Sequence, residues 1–245
     1  MRYLVLSDIH ANIDALDAVL DDAAARGYGR VLVLGDLVGY CADPGAVIDR
    51  MLGLDVCAAV RGNHDKVAAG LEDGADFNPI AKLSAEWTGR VLTEEHRAYL
   101  RSLPRGPVLV DEDIQICHGS PEDEDRYMLD SLDAIAAFQA ARRPLCLFGH
   151  THNPLAVVLQ RQELVYLPSG DGAVLHWAPD ARYLVNVGSV GQPRDGDARA
   201  AYGIIDSDRR QVEFLRLEYP VGRAQSRIRE RRLPEPLAAR LRAGR

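Results

Sequence analysis

The sequence predicts a mixed α/β fold of two stacked sheets with helices on their outer faces. Strand and helix units alternate up to residue 60, whereas after residue 154 short apolar runs are separated by Gly, Pro and Asp. A chain of 245 residues is near the upper limit of what one core supports. Hydrophobic residues at 47% are enough to fill such a core, so a single large domain is expected rather than two.

The first element is a strand over residues 2–7, an apolar run that ends in Ser7-Asp8 and so delivers polar groups at its carboxyl end. A helix follows, with Asn12 as its cap, Gly27 as its stop, and Ile13, Leu16, Leu20 and Ala24 on one face. Residues 31–34 form the second strand, Asp43-Pro44 opens a helix ending near Gly53, and residues 56–60 form the third strand, which makes the opening βαβαβ. Helical patterns fill 79–102, with Thr93 capping the second segment, and strands are expected near 106–110 and 113–117. A helix near 130–142 leads into the apolar run 145–148. The remaining runs, at 155–159, 163–167, 173–177, 183–187, 201–205 and 211–217, read as an antiparallel half.

The apolar start of the chain is too short for a signal peptide, and no later stretch approaches the roughly 20 apolar residues of a membrane span. A cytoplasmic protein with no membrane partner is therefore expected. Cys41, Cys57, Cys117 and Cys146 show no Cys-x-x-Cys spacing, and three of them sit in apolar runs, so reduced core thiols are expected. The net charge is −7, but residues 223–245 hold eight Arg against two acidic residues, which leaves the rest of the chain at −13. The expected organisation is a domain over 1–222 and a basic helical tail, 223–245, packed on it or extending from it. Such a tail is usually a solvated helix face; an acidic body disfavours a broad nucleic-acid surface.

Five short polar segments each follow a predicted strand: Asp8-Ile9-His10, Gly35-Asp36, Gly62-Asn63-His64-Asp65, His118-Gly119 and Gly149-His150-Thr151-His152. In open sheets, functional groups gather beyond the carboxyl ends of strands. In an extended segment residues two apart point the same way, so Asp8 with His10, and His150 with His152, are expected to aim at one point. Five of the seven histidines lie in these segments, with Asp and Asn oxygens beside them. Mixed nitrogen and oxygen donors suit Mn, Fe or Zn better than Ca or Mg, and exclude a cysteine-rich structural zinc site. Taken singly, each residue also reads as a cap, a turn or a hydrogen-bonded histidine; their joint occurrence at successive strand ends favours a metal site.

The ordered set resembles the calcineurin-like metallophosphoesterases, whose motifs are Asp-x-His, Gly-Asp, Gly-Asn-His-Asp or Glu, a separate His, and Gly-His-x-His. The stretches Ser7-Asp8-Ile9-His10-Ala11-Asn12, Gly35-Asp36-Leu37-Val38-Gly39-Tyr40 and Asn186-Val187-Gly188-Ser189-Val190-Gly191-Gln192-Pro193-Arg194 are similar to a bacterial and archaeal small-phosphoesterase branch. The resemblance implies a four-layer αββα sandwich and a cofactor of two divalent metal ions. It places Asp8, His10 and His152 on one metal, Asn63, His118 and His150 on the other, and Asp36 on both. It further implies hydrolysis of phosphomono- or phosphodiesters by a bridging water of lowered pKa. His64 would stabilise the transition state or protonate the leaving oxygen, with Asp65 orienting it. Arg194 is the candidate substrate-binding residue, for a phosphate or a substrate carboxylate. Asn12 is assigned to capping, and His96 and His176 to surface or packing roles.

The expected partner is a small phosphoester or nucleotide-like substrate. Narrower readings are hydrolysis of dinucleoside polyphosphates or cyclic nucleotides, or a nuclease using the basic tail. A non-catalytic scaffold would be expected to have lost metal ligands, and none is lost here. The chain holds no Gly-Lys pair for a P-loop, no Gly-x-Gly-x-x-Gly and no Gly-x-Ser-x-Gly, which removes the usual support for nucleotide-driven motors, dinucleotide oxidoreductases and serine hydrolases.

Overall fold

The computed structural model describes all 245 residues. The chain opens with β1 (Arg2–Leu6), α1 (Ile13–Arg26), β2 (Arg30–Val33), α2 (Pro44–Leu52) and β3 (Val56–Ala59), the βαβαβ unit that the apolar periodicity predicts. A short helix absent from that reading follows, α3 (Asn63–Ala68), then α4 (Pro79–Val91), α5 (Glu94–Ser102), β4 (Val108–Leu109) and β5 (Ile114–Ile116). Next come α6 (Ser131–Ala140), β6 (Leu145–Leu147), β7 (Leu155–Gln160), β8 (Glu163–Leu167), β9 (Val174–His176), β10 (Arg182–Asn186), β11 (Ala200–Asp206) and β12 (Gln211–Leu217). The chain closes with α7 (Val221–Glu230) and α8 (Glu235–Ala243). No helix is long and apolar enough to cross a membrane.

The strands form two six-stranded mixed sheets, β3-β2-β1-β11-β12-β9 and β4-β5-β6-β10-β7-β8. The strand-rich half is thus not one antiparallel unit. Its strands are shared between the sheets, and β10 runs parallel to β6 while pairing antiparallel with β7. Three apolar layers hold the sandwich together. The middle one, between the sheets, joins Val5, Leu32, Ile116, Leu147, Val185 and Phe214. The largest lies between the first sheet and the helices, and includes Leu16, Val47, Tyr202, Ile228 and Leu237. The third packs Phe138 of α6 on Cys146 and Leu184 of the second sheet. Truncating Leu147, which is fully buried between the sheets, to Ala is expected to lower stability by about 2–5 kcal/mol, read as a shift in the urea midpoint.

In α1 the Asn12 side chain accepts from the Ala15 amide at 3.2 Å, and its Nδ2 donates to Gly191 O at 2.9 Å. Asn12 is therefore a cap that also pins the loop after β10. The buried stripe of α1 is Ala15, Leu16, Val19, Leu20 and Ala23, whereas Ala24 is exposed and Ile13 only half-buried. The expected face was rotated because the many alanines of this helix leave its apolar sector poorly bounded.

The basic tail is folded back on the body. Ala224, Ile228, Leu237, Ala238 and Leu241 are buried in the largest apolar layer. Arg223 and Arg227 pair with the Asp14 carboxylate, and Arg227 also with Asp43, so part of the tail's charge offsets acids of α1 and the start of α2.

Candidate metal centre

The ends of β1, β2, β3, β5 and β6 bring the five polar segments together. Asp8, His10, Asp36 and His152 each present one donor atom within 4.8 Å of the others, and Asp36, His118 and His150 form a second such group that shares Asp36. Asn63, at the start of α3, lines the adjoining cleft with His64 and His150, and its buried Oδ1 has no hydrogen-bond partner.

The convergence does not arise from extended segments, as the sequence suggested. Asp8, His10, Asp36, His150 and His152 all have positive φ, between 49° and 66°, in the left-handed region. Asp and His tolerate that region better than most residues, but each such residue still costs on the order of 1–3 kcal/mol. Left-handed turns fold the chain back at the strand ends and let side chains two apart aim at one centre. The strain is held by the segment after β10. Val190 and Gly191 donate their amides to Ser7 O and Asp8 O, both at 3.0 Å. The Ser189 hydroxyl donates to Asp8 O at 2.8 Å, and Asn186 Nδ2 to Gly149 O at 2.9 Å.

Four histidine rings are fixed in one tautomer by backbone carbonyls. His10 Nδ1 donates to Val38 O at 3.1 Å, His118 Nδ1 to Leu34 O at 2.8 Å and His152 Nδ1 to Gln192 O at 2.6 Å. His150 does so through Nε2, to Asp125 O at 2.9 Å, which leaves its Nδ1 available to an ion. In the neutral ring the other nitrogen then carries a lone pair, the arrangement in which histidine ligates metals. His10 Nε2 and His152 Nε2 stand 3.0 Å apart, two lone pairs facing each other. Two lone pairs at that distance repel, and a cation held between the rings would relieve the contact. His118 Nε2 is buried without a hydrogen-bond partner, 3.5 Å from Asp36 Oδ2. Lone pairs, an orphaned amide oxygen and two carboxylates make a donor set that fits divalent cations.

The electrostatics favour positive charge at Asp36. Burial pushes His10 and His152 well below the ordinary histidine range, His150 down to about 3 and His64 to about 4. Burial opposes a charged His118 as well, but the carboxylates of Asp36 and Asp8 outweigh it and lift that ring to about 10. Burial likewise works against an ionised Asp36, yet His118 and His64 hold it well below the usual carboxylate range.

His64 differs from these four. Its amide donates to Asp36 Oδ1 at 2.9 Å, while its ring sits among Tyr40, Phe77 and His10 with Nδ1 unpartnered. Asp65, expected to orient that ring, does not bond it. Its oxygens accept the Val38 amide at 3.2 Å and the Gly62 amide at 3.0 Å, so the buried carboxylate ties the loop after β2 to the start of α3. The Gly62 amide is a capping-box partner three residues back, whereas the buried Val38 amide is a distant competitor for the carboxylate that motif spacing cannot show. Gly62 makes the same junction possible: a Cβ there would fall onto Asp36 Oδ1 and the Asp36 amide. Gly62→Ala is expected to displace Asp36 and lower turnover by about 10²-fold, measured against metal content.

Three residues of the site carried no legible signal as site residues. Tyr40 lines the cleft and packs on His10 at 4.6 Å between ring centroids. Tyr127 stacks on His150 at 3.8 Å. Lys66 is 1% exposed and bonds Asp125 at 2.5 Å, Glu72 at 2.8 Å and Glu124 at 3.4 Å, while Arg61 clamps Glu124 with two bonds of 2.9 Å. The acidic stretch 122–125 is thus a folded turn whose Asp125 carbonyl holds His150. Lys66→Met is expected to lower stability by about 1–3 kcal/mol and loosen His150, checked by melting temperature and metal retention. Arg194 donates to Tyr40 Oη at 3.3 Å and Gln192 Oε1 at 3.1 Å, and its charge reaches His10, His64 and His152. Of the remaining histidines, His96 bonds Asp49 at 3.0 Å and His176 is exposed on β9.

Residues 1–210 match the family profile of the calcineurin-like phosphoesterase superfamily domain. The chain belongs to that superfamily. It is 35% identical to an uncharacterised protein of Methanocaldococcus jannaschii over 98% of this chain and 97% of that one. Among solved structures it resembles a metallophosphoesterase from Sphaerobacter thermophilus at 39% identity and a TM-score of 0.87, over 100% of this chain and 99% of that one. A hypothetical protein from Pyrococcus horikoshii shares the fold, with a TM-score of 0.81 at 24% identity over 100% and 98% of the two chains. The two mixed sheets and flanking helices are those of the phosphoesterase fold, and the family supports hydrolase activity.

Proposed function

We propose that this phosphoesterase is binuclear and cleaves small phosphomono- or phosphodiesters. Asp8, His10 and His152 would hold one divalent cation, Asn63, His118 and His150 the other, and Asp36 both. Mn, Fe and Zn are the ions that suit these donors. The observation that carries the reading is the set of four buried histidines, each held by a carbonyl on one nitrogen and turned with the other toward the centre around Asp36. Such cations, when bound, activate the attacking water and neutralise charge on the phosphoryl oxygens.

The chain's own groups bind and orient the ester. A cleft of about 820 Å³ opens beside the centre, large enough for a nucleotide-sized leaving group, with Tyr40, Phe77 and Tyr127 offering apolar faces. Arg194 would bind a phosphate of the substrate, and His64 would place its ring nitrogen at the oxygen that departs. The acids Glu72, Asp73, Asp76 and Asp125 along the cleft disfavour further negative charge on the leaving group at that side.

The test is a panel from phosphomonoesters to dinucleotides, run on protein reconstituted separately with Mn, Fe, Zn, Co and Mg, with metal counted per chain. Two ions per chain and hydrolysis of at least one ester class are expected. Absence of metal uptake together with absence of phosphoester cleavage would overturn the proposal.

A further inference from the structure

Arg194 and Arg240 meet at one tyrosine with no carboxylate beside either. Arg61, Arg199, Arg216 and Arg227 all pair with carboxylates, as do most of the chain's arginines, whereas Arg194 and Arg240 have no carboxylate within ion-pairing distance. Both are partly buried, and both press on one ring. The Arg194 guanidinium carbon is 5.7 Å from the Tyr40 centroid and that of Arg240 is 5.8 Å from it. The same tyrosine packs tilted against His10 at 4.6 Å and His64 at 4.3 Å between centroids, so both cations lie one ring away from the candidate metal centre. Arg194 Nε is buried with no partner, and Arg240 spends only Nε, on Arg245 O at 2.8 Å. Two like charges sharing one tyrosine repel. Burial first, and then the Arg194 charge, lowers the affinity of Arg240 for its proton.

The fold keeps Arg240 in this position. Leu237, Ala238 and Leu241 anchor α8 in the core. Gly244, at φ 62°, turns the chain so that its carbonyl accepts the Gly196 amide at 2.9 Å. That contact docks the end of α8 on the loop that carries Arg194, and a Cβ on Gly244 would meet the Asp197 backbone at 2.6–2.8 Å. An uncompensated cation pair held by a buried anchor and a tight turn is an arrangement that an incoming anion would stabilise.

We propose that Arg194 and Arg240, on either side of the contact with Tyr40, form a second anion subsite, and that the natural substrate carries another phosphate next to the scissile one, as in a diphosphate. The proposal rests on the phosphoesterase reading above and narrows its substrate class. It also gives the basic tail a role in substrate choice. Arg240 comes from the last helix, so the tail reaches Tyr40, a wall of the cleft, from the far end of the chain. The expected division is that the scissile phosphorus lies at Asp36, the neighbouring phosphate on the two guanidiniums, and the uncharged remainder toward Phe77 and Tyr127.

The test is calorimetric titration of the full-length, manganese-loaded protein with methylenediphosphonate and with methylphosphonate. Arg240→Gln should weaken the diphosphonate by about 10-fold or more and methylphosphonate by less than about 2-fold, since only the former reaches the subsite. Arg240→Lys, which keeps the charge and the packing of the stem but not the fork, should lose an intermediate amount, and it carries the test if the glutamine variant melts early. Equal losses on both probes, or no loss on the diphosphonate, would overturn the subsite while leaving the phosphoesterase reading intact. Failure of the wild-type protein to take up manganese would instead sink both.

Discussion

Asp36→Asn should abolish most turnover, by about 10³-fold or more, and drop the metal content below two ions per chain. The expectation follows from charge and position. Asp36 belongs to both donor groups, lies 3.5 Å from both His10 Nε2 and His118 Nε2, and is 1% exposed. The amide nearly matches the carboxylate in shape, so packing is preserved while one of the two buried carboxylates of the centre is lost. Several kcal/mol of electrostatic stabilisation are at stake when paired cations neutralise a phosphoryl group, and each 1.36 kcal/mol is about tenfold in rate. The same change should leave the fold intact, because Asp36 makes a single backbone contact through its side chain, from the His64 amide to Oδ1 at 2.9 Å. Elemental analysis beside single-turnover kinetics checks it. A variant that keeps two ions and near-normal turnover would remove Asp36 from the shared position.

His64→Gln should cut kcat by about 10²–10³-fold with two ions still bound. The ring contributes no nitrogen to either donor group and leaves Nδ1 unpartnered in a cage of Tyr40, Phe77 and His10. Burial, the largest influence on it, favours the uncharged ring, so His64 is expected to act as a hydrogen-bonding group of fixed direction. The cage fixes that direction. Gly39 at φ 92° lies so close that a Cβ would strike the imidazole, and glutamine in place of the ring would gain rotamer freedom. Loss of both metals on this change would reassign His64 as a ligand. Loss of turnover with esters of good and poor leaving groups alike would move its role from the departing oxygen to the phosphoryl group.

The two outcomes separate what the five segments do. Asp36 acts through charge, so its loss should fall on metal content and turnover together. His64 acts through placement, so its loss should fall on turnover alone. The diphosphonate titration of the Arg240 variants addresses a third property, the choice of substrate, and can fail without disturbing either.

The amino-acid sequence by itself determined the βαβαβ opening, most element boundaries and the set of side chains that meet at the strand ends. Period-two and helical apolar patterns, with caps such as Asn12 and Thr93, are local properties of the chain and therefore legible in one dimension. Three things were decided only by the tertiary structure. Whether Asp8 and His10 converge by extension or by left-handed turns depends on the segment 186–191 that holds them, about 180 residues away. Whether Asp65 serves a ring or a backbone depends on which unmet amides lie near it, and Val38 and Gly62 win because buried amides must be paired. The placement of Arg240 beside Tyr40 depends on the apolar anchor of α8 and the turn at Gly244, which put the end of the chain next to a residue near its start. In each case at least one deciding partner, Ser189, Val38 or Gly196, is distant in sequence. Motif spacing records what a chain carries, and only packing settles which buried groups must satisfy one another.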